Sequence, residues 1–288
     1  MDGGGSAGAT HKRSLRWWIV GAIAVVVVLA VGGPFVYIHV IEGPAPSKLA
    51  LPGSTSGSSG SSGSAGSAGA TSASVSGTWR VGPGSVVGYR VQEVLIGQNA
   101  TAVGRTTKVS GTVTIEGTTA TAATVTVDMA SVKSDQSERN AQFDGRIMDV
   151  AMYPTAALHL TKPLSLGTVP APGHRASYTG TGTLTMHGVT RTIPLPLSAE
   201  RTGTGIDVLA EIPIIFAGWN IANPSTGGFV TTSSDGTLEV LLHLTRGAGN
   251  PAVTNANSSA SSGSGGGPGG PITVPSTTVP PLTIPSGR

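Results

Sequence analysis

The chain has 288 residues, 43 of them Gly and 20 Pro, with no Cys, 11% charged and 4% aromatic side chains. The absence of thiols excludes a disulfide framework, thiolate zinc, an iron–sulfur cluster and thiol catalysis. The net charge of +3 does not point to nucleic acid. Between Thr78 and Arg246 the basic and acidic residues balance, and the excess lies outside, at Lys12, Arg13, Arg16, Lys48 and Arg288.

Residues 17–41 contain no Asp, Glu, Lys or Arg and centre on an aliphatic run from Ile23 to Val31. Crossing a hydrocarbon core takes about 20 apolar residues, so this segment is expected to be a single transmembrane helix. Trp17, Trp18 and Tyr37 stand near its ends, where amphipathic rings favour the interface. Lys12, Arg13 and Arg16 precede it, so the positive-inside rule puts residues 1–16 in the cytoplasm and the rest outside. The run exceeds the 7–15 apolar residues of a cleaved signal, which favours an anchor at the cell membrane. Residues 42–75 read as a Gly/Ser-rich linker. From Leu49 to Thr78 they carry no charge and no aromatic ring. A free coil of this length reaches about 30–35 Å without fixing an orientation.

Residues 76–247 read as one β domain. Val113 and Ile115 alternate with Thr112 and Thr114, and Val125, Val127 and Met129 with Thr124, Thr126 and Asp128. Ile193, Leu195 and Leu197 alternate with Thr192, Pro194 and Pro196; Leu238, Val240, Leu242 and Leu244 with Glu239, Leu241 and His243. This period of two suits half-buried strands, and Gly residues punctuate the runs as turns. One helical interval is expected over Ser134–Met148, capped by Ser134 or Asp135 and broken at Gly145. Residues 248–288 form a Gly/Ser/Pro/Thr-rich tail expected to be disordered, because its composition cannot bury enough apolar surface to offset chain entropy. Seven or eight strands with one helical excursion fit an antiparallel barrel or a sandwich, and alternation does not choose between them.

Motifs for chemistry are missing. No HExxH or His-x-His arrangement, nucleophile elbow, Walker loop or GxGxxG occurs in the domain. His159, His174, His187 and His243 are scattered, and the pair Asp144 and Asp149 flanks a helix break. No catalytic residue, metal site or cofactor is expected. Inward aromatic residues in a small barrel either fill its core or line a cavity.

The order of several short motifs resembles the YceI-like family of polyisoprenoid-binding-like proteins. They are WRVGP at Trp79–Pro83, VGYRV at Val87–Val91, VSGTVTI at Val109–Ile115, DMASV at Asp128–Val132 and ERNAQF at Glu138–Phe143. They continue with MYPT at Met152–Thr155, GTLTMHGVT at Gly182–Thr190 and the closing strands at Ile212–Gly218 and Leu238–Leu244. Gly82 stands where the family carries Asp, and Arg139-Asn140 where it carries Arg-Asp. The resemblance implies an all-β, eight-stranded antiparallel lipocalin-like barrel with a long apolar cavity, here preceded by a single transmembrane helix. It implies that Tyr89, Phe143 and Phe216 line that cavity, with Trp219 guarding an opening. The expected function is a membrane-anchored, extracytoplasmic lipid-binding protein holding a long apolar, isoprenoid-like chain. The alternative is an envelope interaction or scaffold module with a solidly packed barrel.

Overall fold

The computed structural model describes residues 20–26, 44–52, 74–225, 228 and 230–247. Residues 20–26 are helical, and among the described residues no helix is long and apolar enough to cross a membrane. The remainder of the expected span 17–41, the segment 1–16, most of the linker and the tail 248–288 lie outside the described residues.

Twelve strands follow: β1 (Gly77–Val81), β2 (Val86–Leu95), β3 (Gln98–Thr106), β4 (Val109–Glu116), β5 (Thr119–Asp128), β6 (Thr155–Leu160), β7 (Leu164–Ser165), β8 (Arg175–Met186), β9 (Val189–Arg201), β10 (Ile206–Ile215), β11 (Val230–Thr232) and β12 (Asp235–Thr245). The ring β1–β4–β5–β6–β8–β9–β10–β12 returns to β1, closing an eight-stranded antiparallel barrel. Closure removes the unpaired edges that an open sheet would expose. β2 continues β1 along the same edge of β12, and β3 pairs with β2 as β4 does with β1. Ser85 bridges the break between β1 and β2. Its fully buried hydroxyl donates to the Gly82 carbonyl at 2.8 Å and accepts from the His243 amide at 2.9 Å, standing in for the missing ladder group.

The ring has one loosened seam. β9 pairs with β8 along its length, yet with β10 only over Leu197–Arg201. Pro194 and Pro196 lie in the unpaired half of β9, where a residue without an N–H costs no ladder bond.

The helical interval is shorter and less regular than its sequence predicts. α1 (Ser137–Gln142) starts after Gln136, which makes no side-chain cap bond, and passes into a π-helical turn over Phe143–Ile147. Gly145 lies inside that turn and does not end it. Ser134 does not cap α1: its amide and hydroxyl donate to Asn140 Oδ1 at 2.7 and 3.0 Å, and its Oγ accepts from the Gln136 amide at 3.3 Å, ahead of the first helical residue. The Met148 amide reaches back five residues to the Phe143 carbonyl, and the Phe143 ring is buried in the core.

Part of the expected linker is held against the outer face. Arg90 Nη2 donates to the Pro46 carbonyl at 2.7 Å, and Arg105 donates to the Ser47 carbonyl. Lys48 pairs with Glu211 at 3.1 Å, and Arg175 donates to the carbonyls of Leu51 and Pro52. Leu51 is only 2% exposed. Residues 44–52 therefore have a fixed course, unlike the free coil expected for the whole linker. The same arginines hold the most deeply buried carboxylate. Glu239 is 1% exposed and accepts from Arg90 Nε at 2.7 Å and Arg105 Nη2 at 3.0 Å. Gly88 lies between Glu239 and Arg105 in register. A Cβ there would meet the Arg105 side chain at 2.8 Å and the Gly104 carbonyl at 2.1 Å, so only glycine leaves the guanidinium its path.

Candidate functional site

Successive strand residues point to opposite sides, so one alternation of β12 (Gly236, Leu238, Val240, Leu242 and Leu244) faces the barrel interior. That interior is not filled. A cavity of about 470 Å³ occupies the half beneath α1, and a second of about 160 Å³ the opposite half. Val125, Leu158, Ile212 and Val240 border both, one each from β5, β6, β10 and β12, and form a waist between two chambers. The reading of a solidly packed barrel does not describe this interior. The larger chamber falls within the roughly 300–1,000 Å³ typical of pockets for a single small ligand.

The mouth lies where the β2–β3 hairpin, the start of β6, the end of β10 and α1 come together. Tyr89, Phe143 and Phe216 all stand on the wall of the larger chamber. The Tyr89 ring stacks on Phe143, with centroids 5.2 Å apart and planes 13° from parallel. Its cross-strand neighbour is Gly104, whose Cβ would lie 2.3 Å from the ring. The missing side chain is what lets the phenol lie flat over β3. Burial pushes the Tyr89 hydroxyl up to about 12; Arg139 pulls the other way, while Glu93, Asp135 and Asp144 reinforce the rise.

Polar groups gather at this mouth and are paired. Glu93, inward-facing on β2, accepts from Arg139 Nη2 at 3.0 Å, and Asp135 accepts from Arg139 Nη1 at 2.5 Å. Burial works against the Arg139 charge, but Glu93 and Asp135 outweigh it and hold the guanidinium above its ordinary value. Glu93 continues the alternation of Val87, Tyr89 and Val91 in the sequence, but an acidic side chain in that series carries no signal that it faces inward. The wall below the mouth is aliphatic: Val125, Val127, Met129, Ala156 and Leu184 among others. It offers no nucleophile beside a base. It can enclose an apolar chain and set a polar end among ion pairs.

A family profile described as YceI-like domain matches residues 79–244. The chain belongs to the YceI-like family. Solved structures to which the chain is similar include a polyisoprenoid binding domain from Saccharophagus degradans implicated in plant cell wall breakdown, 17% identical, covering 58% of this chain and 97% of its own, with a TM-score of 0.47. BcnA of Burkholderia cenocepacia is 24% identical, covering 54% and 94%, at a TM-score of 0.41. A YceI protein of Campylobacter jejuni is 17% identical, covering 48% and 81%, at 0.36. No curated protein matches the sequence.

Other residues of the YceI-like domain have roles away from the chamber. Trp219 is buried at the end of a short 3₁₀ turn (Phe216–Trp219) and does not border either chamber. Its carbonyl lies 3.1 Å from His187 Nδ1, and the His187 ring meets Tyr153 edge-on at 4.9 Å. His187 and Gly188, both with positive φ, form the two-residue turn between β8 and β9. His243 faces outward beside Asp207, with Nδ1 to Oδ1 at 2.7 Å. Ser85 is near this pair, but its hydroxyl bonds the His243 backbone and not the imidazole, so the three do not form a hydrolytic triad. Among the described residues no group of three or more His, Cys, Asp or Glu could hold a metal ion.

Proposed function

We propose that the barrel binds the apolar chain of a lipid, isoprenoid-like in shape, within its two chambers, and that it acts by holding this ligand and not by catalysis. The observation that carries this reading is an aliphatic and aromatic cavity inside a closed barrel, with charged groups only at its two ends and the Glu93–Arg139 pair at its mouth. Each CH₂ taken out of water contributes about 0.8 kcal/mol, so affinity needs no reactive group. Tyr89, Phe143 and Phe216 contact the chain, and Trp219 supports the mouth from behind through the Phe216–Trp219 turn. The protein is anchored in the cell membrane by residues 17–41, with residues 1–16 cytoplasmic and the barrel outside; the apolar run and the basic residues before it support this placement.

The test is a pair of variants at one position in the full chain. Phe216→Asp places an unpaired charge where the chain must lie and should abolish co-purified lipid. Phe216→Ala only enlarges the chamber and should retain it. Equal lipid content in both variants, at a matched melting temperature, would exclude a chain lying against Phe216.

A further inference from the structure

We propose that the barrel docks on the lipid bilayer mouth-first, held in that orientation by residues 44–52. The inference rests on the membrane anchoring proposed above, and it assigns a surface and a direction that anchoring alone leaves open.

Three observations converge. The first is the course of the held segment. Its Pro46 and Ser47 carbonyls are bound by Arg90 and Arg105, in the half of the barrel that carries the mouth. Its Leu51 and Pro52 carbonyls are bound by Arg175, at the start of β8 and the opposite end. The held segment therefore begins in the mouth half and runs towards the distal end. The second is length. The apolar run ends at Ile41, and five residues span at most about 18 Å, so Pro46 stays close to the headgroups. The long Gly/Ser stretch comes after the held segment and adds nothing to this distance.

The third is the distribution of exposed apolar side chains. Among the described residues of the barrel, the large ones exposed are Val94, Ile96, Met152 and Ile215. Val94 and Ile96 belong to the β2–β3 hairpin, Met152 to the segment before β6 and Ile215 to the end of β10. All four ring the mouth, and the distal hairpins carry none. Ile96 also has φ +48° in a two-residue turn. That conformation favours Asn, Asp or Gly and is costly for a β-branched residue, so the hairpin tip keeps an apolar side chain in water against its local preference. The two cations that line the mouth are already engaged, Arg139 with Glu93 and Asp135 and Arg146 with Gln142 and the Pro224 carbonyl, whereas Lys108 and Arg191 stand exposed at the same end. Docking is led by apolar insertion, with Lys108 and Arg191 free to meet anionic headgroups. A mouth set in the interface lets a lipid chain pass into the chamber without crossing water.

The chain has no Cys, so a single introduced thiol can be labelled cleanly. Ile96→Cys and Met152→Cys report the mouth. Gly203→Cys reports the distal β9–β10 turn, where an added Cβ meets nothing within 4 Å. Each full-length variant is nitroxide-labelled and reconstituted in phosphatidylcholine vesicles. Power saturation with oxygen and a water-soluble nickel complex should show labels at 96 and 152 several-fold more accessible to oxygen relative to nickel than the label at 203. Replacing a third of the lipid by phosphatidylglycerol should keep or strengthen the contrast. Equal water accessibility at all three sites would overturn the proposal, as would a chain that alkaline carbonate strips from the vesicles. Lipid extracted from the same samples separates the two readings: a loaded barrel with a water-exposed mouth refutes docking alone, and a docked but empty barrel refutes lipid binding alone.

Discussion

Glu239 and its neighbours Leu238 and Val240 sit side by side on β12 yet meet opposite environments. The outward carboxylate is covered by residues 44–52 and held by two guanidiniums. The inward aliphatic side chains border open space. Burying a charge is costly unless it is paired, and the outer face supplies its partners in full. Empty apolar volume also lowers stability, because interiors otherwise pack to crystal density. The outer face pairs its buried carboxylate, leaving Arg105 Nε as the one buried nitrogen there without a partner among the described residues, and the lipid proposed above would fill the interior.

Breaking the outer face should have the largest effect. Glu239→Ala leaves Arg90 and Arg105 buried without their shared partner and should cost about 3–5 kcal/mol, read as a drop in the urea midpoint. A loss below about 1 kcal/mol would mean that the paired carboxylate matters little. On the inner side, the raised Tyr89 hydroxyl makes stability depend on alkaline pH. The folded state keeps its proton above the unfolded value of 10.0, so the contribution is complete below pH 10 and lost as pH rises towards about 12. A shift of this size corresponds to about 2–3 kcal/mol. Tyr89→Phe should flatten that part of the denaturation profile, and an unchanged slope would contradict the assignment to Tyr89.

The waist offers a sharper comparison between the chambers. Leu158→Phe should narrow the passage at a cost of about 1–3 kcal/mol and shift bound lipids towards shorter chains, measured by mass spectrometry of the extract. An unchanged chain-length distribution would confine the ligand to the larger chamber. The smallest effect is expected at Lys48→Ala, whose pair with Glu211 is exposed. It should change stability by about 0–1 kcal/mol, a contrast with Glu239→Ala that isolates burial as the cause, since Glu211 and Glu239 are register neighbours on β10 and β12.

Much of this architecture was legible beforehand. The alternation at Val125–Met129 and Leu238–Leu244 identified strands and their inner faces, and the resemblance supplied barrel closure, which alternation cannot. Pro194 and Pro196 were visible inside an alternating run, but only a known neighbour order reveals that they mark a seam with β10. The helical interval is present but less regular than its sequence predicts, since Ser134 Oγ accepts from the Gln136 amide ahead of the helix and the chain passes into a π turn at Phe143. The held segment left no local signal. Pro46, Ser47, Leu51 and Pro52 are fixed through their carbonyls by arginines 44 to 124 residues away, and carbonyls are common to every residue type. Tyr89, Phe143 and Phe216 could be placed on one cavity only through the resemblance, because inward aromatic residues in a small barrel serve equally as core. The position of Trp219 behind the wall depends on a turn whose geometry composition does not encode.

The central claim is that the hollow interior exists to hold a lipid chain. The most direct measurement is solvent extraction and mass spectrometry of the full-length protein purified from its own membranes in a mild detergent, with the Phe216→Asp variant as the blank. The account predicts a long-chain apolar lipid at close to one molecule per protein in the wild type and none above background in the variant. A wild-type barrel that is empty, and that takes up neither an isoprenoid nor a fatty-acid probe, would contradict it.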